Sequence, residues 1–218
     1  MIEYHKIEGL YKRDEQTKKL LPNQYLSEAV EFLKNCEWEF TEKIDGTNIR
    51  VHWDGHKVSF AGRTDKTNIP PKLLTYLEKT FGGDINEQIF EEHFGSKEVT
   101  LYGEGYGAKI QNGGDYRPDN SFILFDATID GIVLRRDSLV DIARYFGIDI
   151  VPVVLTGTIK DAEKFVMSRP DSTIGTAKME GVVGRPKVEL CTRLHNRIIV
   201  KVKVRDMMEL EDAHAHDS

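Results

Sequence analysis

The sequence predicts a mixed α+β fold with mostly antiparallel sheets flanked by helices. Helical patterns and short strand-like runs alternate along all 218 residues, with no internal repeat and no Pro/Gly/Ser-rich linker. Two tight-turn dipeptides, Asp54-Gly55 and Asp130-Gly131, each stand between two strand-like runs, which is typical of β-hairpins. These observations favour antiparallel strands, joined in part by hairpins, that alternate with helices along the chain.

Five helices are predicted, and each carries an end signal. Ser27 can cap the first helix, a proline stands early in the second, and Asp84 caps the third. Gly147 ends the fourth helix, and the fifth stops before Pro170. The predicted helices are Leu26–Cys36, Pro71–Phe81, Asp84–Phe94, Asp137–Phe146 and Lys160–Ser168.

Strand-like runs fill the intervals between the helices. In the first run, Trp38, Phe40 and Ile44 lie on one face. The predicted strands are Glu37–Ile44, Asn48–Trp53, Lys57–Ala61, Val99–Tyr102, Phe122–Ala127, Ile132–Arg135, Ile150–Val154, Gly181–Val183 and Ile198–Val204.

The composition excludes several classes of protein. Apolar residues make up 39% and charged residues 30%, as in globular chains rather than disordered or fibrous ones. No apolar run approaches the ~18–20 residues of a membrane span, and the N-terminus lacks a secretory signal. Two cysteines, Cys36 and Cys191, are too few for a disulfide framework, so we expect a cytoplasmic location. The net charge of −6 argues against a basic coat for nucleic acid but not against a local basic groove.

A lysine in the segment Glu42-Lys43-Ile44-Asp45-Gly46 stands at the end of a strand, before a glycine turn. Lys43 can act as a nucleophile only when deprotonated, and since the reference pKa is about 10.4 it needs cationic neighbours or desolvation. Lys201 and Lys203 share one face of the last strand and are candidates for those neighbours or for binding a phosphate. Taken alone, Lys43 also fits a surface lysine, and the lysine pair also fits a protected edge strand.

Four other short motifs carry groups that suit nucleotide chemistry. Glu104 lies between two glycines, and its carboxylate could accept from a ribose hydroxyl or hold a metal. Glu180 is a second strand-borne carboxylate, and two such groups can bind Mg²⁺ through water. Arg63 follows a strand and suits a phosphate. Phe125 could stack on a base, although a core position is the commoner use of such a residue.

Together and in this order, the motifs resemble those of the covalent nucleotidyltransferases, which include DNA ligases, RNA ligases and mRNA capping enzymes. The match runs from about residue 42 to residue 205. DNA ligases typically carry arginine five residues after the lysine, whereas this chain has Asn48, which is similar to the RNA ligase 2 group. The segment Ala61–Thr64 and the glycine-rich segment that leads to Phe125-Asp126 are also similar to that group. Asp45 departs from it, because phage members place histidine there.

The resemblance implies a ligase adenylation-domain fold with a nucleotide cleft between its sheets. We expect residues 1–206 to form this domain and residues 207–218 to form a short acidic C-terminal tail, with no separate C-terminal domain. The implied setting is RNA repair by a phage-like enzyme in a host cytoplasm.

The resemblance also implies an ATP-dependent RNA ligase that uses Mg²⁺ or Mn²⁺. Lys43 would attack the α-phosphorus of ATP, AMP would pass to an RNA 5′-phosphate, and a 3′-hydroxyl would expel it. By position, Glu104 would bind ribose, Phe125 would stack on adenine, and Glu42 would read adenine through its backbone. The implied catalytic residues are Lys43, Lys201 and Lys203, the nucleotide-binding residues are Glu42, Asn48, Arg63, Glu104, Phe125, Glu180, Lys201 and Lys203, and the metal ligands are Glu180 and Glu104.

The implied partner is RNA with 5′-phosphate and 3′-hydroxyl ends, for example a nicked duplex. Between Arg185 and Arg205, seven basic residues stand against Glu189 alone, which predicts a groove for phosphates, with a solvated hairpin face as the other interpretation. A partner protein could supply further grip on RNA. The alternatives are a DNA or polynucleotide ligase, a capping-type enzyme that uses GTP, and a non-catalytic nucleic-acid-binding module.

Overall fold

The chain passes three times between two units of structure. The central unit contains residues 2–5 and Asp45–Val151, and the terminal unit contains Lys6–Ile44 and residues 152–216. The computed structural model describes residues 2–216. Both units lie within or overlap the range 1–206 that the sequence predicts as one adenylation domain, and that assignment stays a prediction.

Thirteen strands and six α-helices occupy the described residues. The strands are β1 (Glu8–Gly9), β2 (Tyr11–Arg13), β3 (Leu20–Tyr25), β4 (Trp38–Glu42), β5 (Thr47–Trp53), β6 (Val58–Ala61), β7 (Val99–Tyr106), β8 (Ser121–Ile129), β9 (Ile132–Val133), β10 (Asp149–Ile150), β11 (Val153–Gly157), β12 (Gly181–Pro186) and β13 (Val200–Lys203). The helices are α1 (Glu28–Leu33), α2 (Pro71–Phe81), α3 (Asp84–Phe94), α4 (Arg136–Phe146), α5 (Ile159–Met167) and α6 (Val204–His216), with a short 3₁₀ turn at Gly113–Asp115.

The central unit is built on a six-stranded sheet in the order β10-β8-β7-β5-β6, with β9 paired to β8. Only the β10–β8 pair is parallel in this sheet. The helices α2, α3 and α4 bury their apolar stripes against it, because each has hydrophobic residues at helical spacing. The shared core includes Ile49, Val51, Leu73, Leu77, Phe81, Phe90, Leu101, Phe122, Ile142 and Phe146.

The terminal unit holds a five-stranded sheet in the order β1-β13-β12-β4-β11 and a separate β2–β3 pair. All neighbours in the larger sheet are antiparallel except β1 and β13. Its apolar core combines alternate residues of the strands with α5 and α6, and includes Trp38, Phe40, Ile159, Ala162, Val166, Val182, Val200, Val202 and Met207. The predicted α+β class with mostly antiparallel sheets is therefore confirmed.

Four of the five predicted helices have bounds within one residue of those observed, and the first is shorter than predicted. The predicted strand Ile150–Val154 is wrong. It divides into β10 in the central unit and β11 in the terminal unit, on either side of Pro152, which has no N–H for a strand ladder. The sequence did not predict the strands β1 to β3 or the helix α6. Residues 207–216 of the expected tail belong to α6, and residues 217 and 218 lie outside the described part of the chain. Within residues 2–216, no helix has both the length and the apolar character that crossing a membrane requires.

The alternation along β13 makes a prediction about stability. Val202 is 1% exposed and faces the core, so we expect Val202→Ala to lower the free energy of unfolding by about 1–3 kcal/mol. The matched control is Val188→Ala, because Val188 is 72% exposed and its truncation should change stability by less than about 0.5 kcal/mol. Urea unfolding of both variants checks this, and equal losses would contradict the assigned face of the strand.

Candidate active site

Lys43 lies directly after β4, where the neighbouring strand fixes its position. In the antiparallel β4–β12 pair Val182 stands opposite Glu42, and the Lys43 N–H donates to the Gly181 carbonyl at 3.0 Å. Glu180, the residue before β12, is thereby brought beside the lysine. The Lys43 Nζ lies 2.5 Å from the Glu180 Oε2. The register of the β4–β12 pair therefore brings Lys43 and Glu180, which are distant in sequence, into contact.

Glu180 also binds a second lysine. The Lys203 Nζ lies 2.6 Å from the Glu180 Oε1, so each carboxylate oxygen faces one ammonium group. Burial by itself would raise the pKa of Glu180, but the charges and hydrogen bonds of Lys43 and Lys203 outweigh burial and hold that pKa below its ordinary value. Glu180 is therefore an ionised carboxylate at neutral pH, shared between two cations.

Gly181 makes this close arrangement sterically possible. A Cβ at this position would lie 2.2 Å from the Val202 carbonyl oxygen of the neighbouring strand β13. Only glycine lets the two backbones come so near at the residue that follows Glu180.

Lys201 lies on the same face of β13 as Lys203, as the period of two predicted, while Val200 and Val202 are buried on the other face. Burial lowers the pKa of Lys201, because it disfavours the charged form. Repulsion from the ammonium groups of Lys203, Lys43 and Lys6 lowers it further. Lys201 has no ion pair or hydrogen bond to any residue of the described part of the chain. The Asp206 carboxylate opposes these effects on the pKa but has the smallest influence, so Lys201 is a cation without a bonded counterion, next to two lysines already held by Glu180.

The Glu42 side chain has a role that the sequence did not indicate. It is 1% exposed and accepts hydrogen bonds from the Ser172 hydroxyl at 2.5 Å and from the Thr173 N–H and hydroxyl at 2.9 and 2.6 Å. The carboxylate is therefore occupied within the terminal unit. It ties the segment that leads to Glu180 onto the strand that leads to Lys43.

In the central unit, the structure brings together Asn48 and Glu104. The two residues stand directly opposite each other on β5 and β7. The Asn48 Oδ1 is buried and has no hydrogen-bond partner among residues 2–216, which is uncommon for a buried acceptor. A Cβ at Gly46 would lie 2.4 Å from the Gly105 carbonyl oxygen, so the glycine turn after the lysine packs closely on this strand.

Phe125 is partly buried and contacts an aromatic residue that the sequence did not single out. The Tyr4 ring meets Phe125 edge-on at 5.1 Å between centroids and lies 5.0 Å from Tyr102. The Tyr4 hydroxyl donates to the Asp126 Oδ2 at 2.7 Å. No local pattern marks Tyr4, because Tyr102, Phe125 and Asp126 lie 98 to 122 residues further along the chain.

Arg63 follows β6 and is exposed, and no described residue pairs with it or accepts a hydrogen bond from it. The turn that carries Arg63 is held by Arg50, a buried arginine on β5 that sequence reasoning also missed. The available signal was a charge in the run Ile49-Arg50-Val51, where both faces of the strand are buried.

Asp45, the residue that departs from the phage pattern, is held by a loop of the central unit. The Asn112 amide donates to the Asp45 Oδ2 at 2.8 Å, and the Asp45 N–H donates to the Tyr116 hydroxyl at 3.3 Å. These two contacts fix the position of Asp45, two residues after Lys43.

The sequence-predicted site residues thus form two sets. The terminal unit holds Glu42, Lys43, Glu180, Lys201 and Lys203, and the central unit holds Asn48, Arg63, Glu104 and Phe125. Within residues 2–216, no group of three or more His, Cys, Asp or Glu side chains is arranged to hold a metal ion.

Solved structures share this fold. Naegleria gruberi RNA ligase with PPi aligns with a TM-score of 0.65 at 19% identity, over 97% of this chain and 58% of that one. A point mutant of that ligase with ATP and Mn aligns with a TM-score of 0.66 at 20% identity, again over 97% of this chain and 58% of that one. This chain therefore spans somewhat more than half the length of these ligases, and identity at this level shows the fold alone. No curated protein has a sequence that matches the chain significantly.

The sequence itself carries the family assignment. The pattern of the RNA ligase family matches residues 36–203, a range that contains Lys43, Glu180 and both lysines of β13. Because this match covers most of the chain, the protein belongs to the RNA ligase family.

Proposed function

We propose that this chain is an ATP-dependent RNA ligase that forms a covalent lysyl–AMP intermediate on Lys43. The observation that carries the proposal is the contact of Lys43 with Glu180, a carboxylate that also binds Lys203, in a member of the RNA ligase family. The Naegleria ligase structures that contain ATP or AMP with Mn support ATP and a divalent cation as the cofactors.

In the first step, the Lys43 nitrogen forms a bond to the α-phosphorus of ATP while the bond from that phosphorus to pyrophosphate breaks. Lys43 must leave its ion pair and lose a proton before its lone pair can attack. Lys201 and Lys203 would bind the α-phosphate and stabilise the negative charge that develops on it. The unpaired ammonium of Lys201 supports this role, because an anion would relieve its repulsion by three neighbouring lysines.

Glu180 and Glu104 are the carboxylates that we assign to Mg²⁺ or Mn²⁺. Mg²⁺ is usually held by one or two carboxylates together with substrate phosphates, and the ionised oxygens of Glu180 fit that set. When bound, the cation would neutralise phosphate charge during the transfer. Glu180 would then exchange its contacts with the two lysines for contacts with the cation.

The nucleotide itself would be held largely by residues of the central unit. The orphaned Asn48 Oδ1 supports a ligand that donates a hydrogen bond, and a ribose hydroxyl is such a donor. A buried acceptor without a partner costs about 1–3 kcal/mol, which the bound nucleotide would recover. We assign Glu104 to the ribose, Phe125 to adenine stacking, and the Glu42 backbone to the adenine edge.

In the later steps, an oxygen of the RNA 5′-phosphate attacks the AMP phosphorus and Lys43 leaves. A 3′-hydroxyl then attacks the activated 5′-phosphate and expels AMP, which closes the phosphodiester bond. We assign Arg63 to the acceptor 5′-phosphate, because its exposed guanidinium has no partner among the described residues.

We expect the affinity for RNA outside this site to be lower than the seven basic residues between Arg185 and Arg205 suggest. Lys187 pairs with Glu37, Arg197 with Glu189, and Lys203 with Glu180. The Arg205 Nε lies 3.6 Å from the Asp206 Oδ1, and Arg185 also interacts with another residue. Arg193 and Lys201 are the two of the seven that form no hydrogen bond or ion pair with the described residues.

The nucleophile can be tested by substitution. Lys43→Ala should abolish label uptake from α-labelled ATP, and Lys43→Arg should do the same, because a guanidinium stays protonated. The matched control is Lys178→Ala, which breaks an exposed ion pair with Asp171 and should leave the adduct yield unchanged. Intact-mass analysis of the three variants decides, and an AMP adduct on either Lys43 variant would contradict the assignment.

The charge on Glu180 predicts a dependence of stability on pH. Since its pKa is lower in the folded chain than in the unfolded one, its ionisation stabilises the fold above the unfolded pKa of about 4.3, and this contribution is lost as pH falls through the folded pKa. We expect Glu180→Gln to be about 1–3 kcal/mol less stable at pH 7, with the difference shrinking below about pH 4.

The control for this experiment is Glu37→Gln, which removes an exposed ion pair with Lys187 and should cost less than about 1 kcal/mol at any pH. Denaturant unfolding at several pH values gives both differences. A difference between the parent and Glu180→Gln that stays constant from pH 7 to pH 3 would rule out the electrostatic role.

The salt dependence of RNA binding tests how many cations are available. Two cations remain for RNA phosphates, Arg63 and Arg193, because Lys201 is assigned to the α-phosphate of ATP. With two phosphate contacts, the affinity for RNA should fall about tenfold between 50 and 200 mM salt, a log–log slope of about −1.4 to −1.8, whereas seven contacts would give a slope of about −5 to −6. Fluorescence anisotropy with a nicked RNA duplex measures the slope. A slope near −5 would show that RNA displaces the internal ion pairs.

A further inference from the structure

Arg50 carries a positive charge into the interior of the central unit. Its side chain is 0% exposed, and its strand β5 lies between β6 and β7, with Ala61 and Tyr102 opposite. Burying a cation is costly unless it is paired and hydrogen-bonded. The groups that Arg50 binds therefore indicate what the buried charge is used for.

Two of those groups flank Arg63 in the sequence. The Arg50 Nε–H donates to the Gly62 carbonyl oxygen at 2.8 Å, and the Nη2 donates to the Asp65 Oδ1 at 2.7 Å. The Asp65 side chain is 73% exposed, so this ion pair reaches from the interior to the surface. One buried guanidinium thus holds the backbone before Arg63 and the side chain two residues after it.

The same turn is also closed on itself by two threonines. The Thr64 N–H donates to the Thr67 hydroxyl at 3.2 Å, the Thr67 N–H donates to the Thr64 carbonyl at 3.0 Å, and the two hydroxyls lie 2.9 Å apart. A Cβ at Gly62 would lie 2.7 Å from the Thr67 side chain, so the turn is tightly packed there. These contacts within the chain fix the shape of the turn, while Arg63 is exposed.

We infer that Arg50 and Asp65 are positioning residues that hold Arg63 ready for the 5′-phosphate of the acceptor RNA. This inference rests on the proposed ligase function. A phosphate is bound best by a guanidinium that can offer two parallel hydrogen bonds, and a fixed backbone lowers the conformational entropy lost on binding. The buried Arg50 supplies that fixed backbone without itself touching the substrate.

The test replaces Asp65, the exposed partner in the ion pair with Arg50. Asp65→Ala should raise the KM for RNA with a 5′-phosphate about tenfold in AMP transfer, because a displacement of about 1 Å is enough for losses of this size. The effect on the rate of lysyl–AMP formation should be much smaller than the effect on KM for RNA. The matched control is Asp141→Ala, which breaks an exposed ion pair with Arg144 on α4 and should change neither quantity.

A double-mutant cycle with Arg63→Ala shows whether Asp65 acts through Arg63. If it does, the variant with both substitutions should be no worse than Arg63→Ala alone in KM for RNA. Multiplying effects in the double variant, or an unchanged KM in Asp65→Ala, would overturn the inference while leaving the ligase function intact. Absence of lysyl–AMP in the parent chain would instead overturn the proposed function and this inference with it.

Discussion

One carboxylate shared between two ammonium groups is the interaction on which the rest of the terminal unit's site depends. Glu180 faces Lys43 with one oxygen and Lys203 with the other, and the three side chains come from three neighbouring strand ends. The antiparallel registers of β4, β12 and β13 make the contact possible, and Gly181 gives the strands room. A one-residue shift in one of these registers would move a lysine to the opposite face of the sheet.

Much of this arrangement could be predicted because its signals are local. The period of two separates Lys201 and Lys203 from Val202, and a proline and a glycine mark helix ends at Pro71 and Gly147. The predicted cap Asp84 is wrong, because Asp84 is the first helical residue and Gly83 precedes it at the cap position. Register between distant strands has no such signal, so the sequence could name Lys43 and Glu180 without showing that they touch. The anchors Tyr4, Arg50 and Ser172 were missed for the same reason, since each acts through tertiary contacts.

In the segment from Arg185 to Arg205, fewer cations are available to bind a ligand than the sequence contains. Most of its cations already have partners, some of them far away in the sequence, such as Glu37 for Lys187. Exposed pairs of this kind add little stability, but they lower the positive potential that RNA would meet. Arg193 and Lys201, which form no hydrogen bond or ion pair with the described residues, would therefore contribute most of the positive potential of this segment.

The order of the chain through the two units has a consequence for how the protein folds. Lys43 and Glu180 are 137 residues apart, because Asp45–Val151, the larger part of the central unit, is inserted between β4 and β11. The strands β5 to β10 can pair as soon as they emerge from the ribosome, whereas β4 must wait for its partners β11 and β12. Such non-local pairing raises the contact order and slows folding. Lys43 is thus made early and acquires its neighbours late, so that an incomplete chain contains Lys43 without the Glu180 that contacts it and the Lys203 that shares this carboxylate.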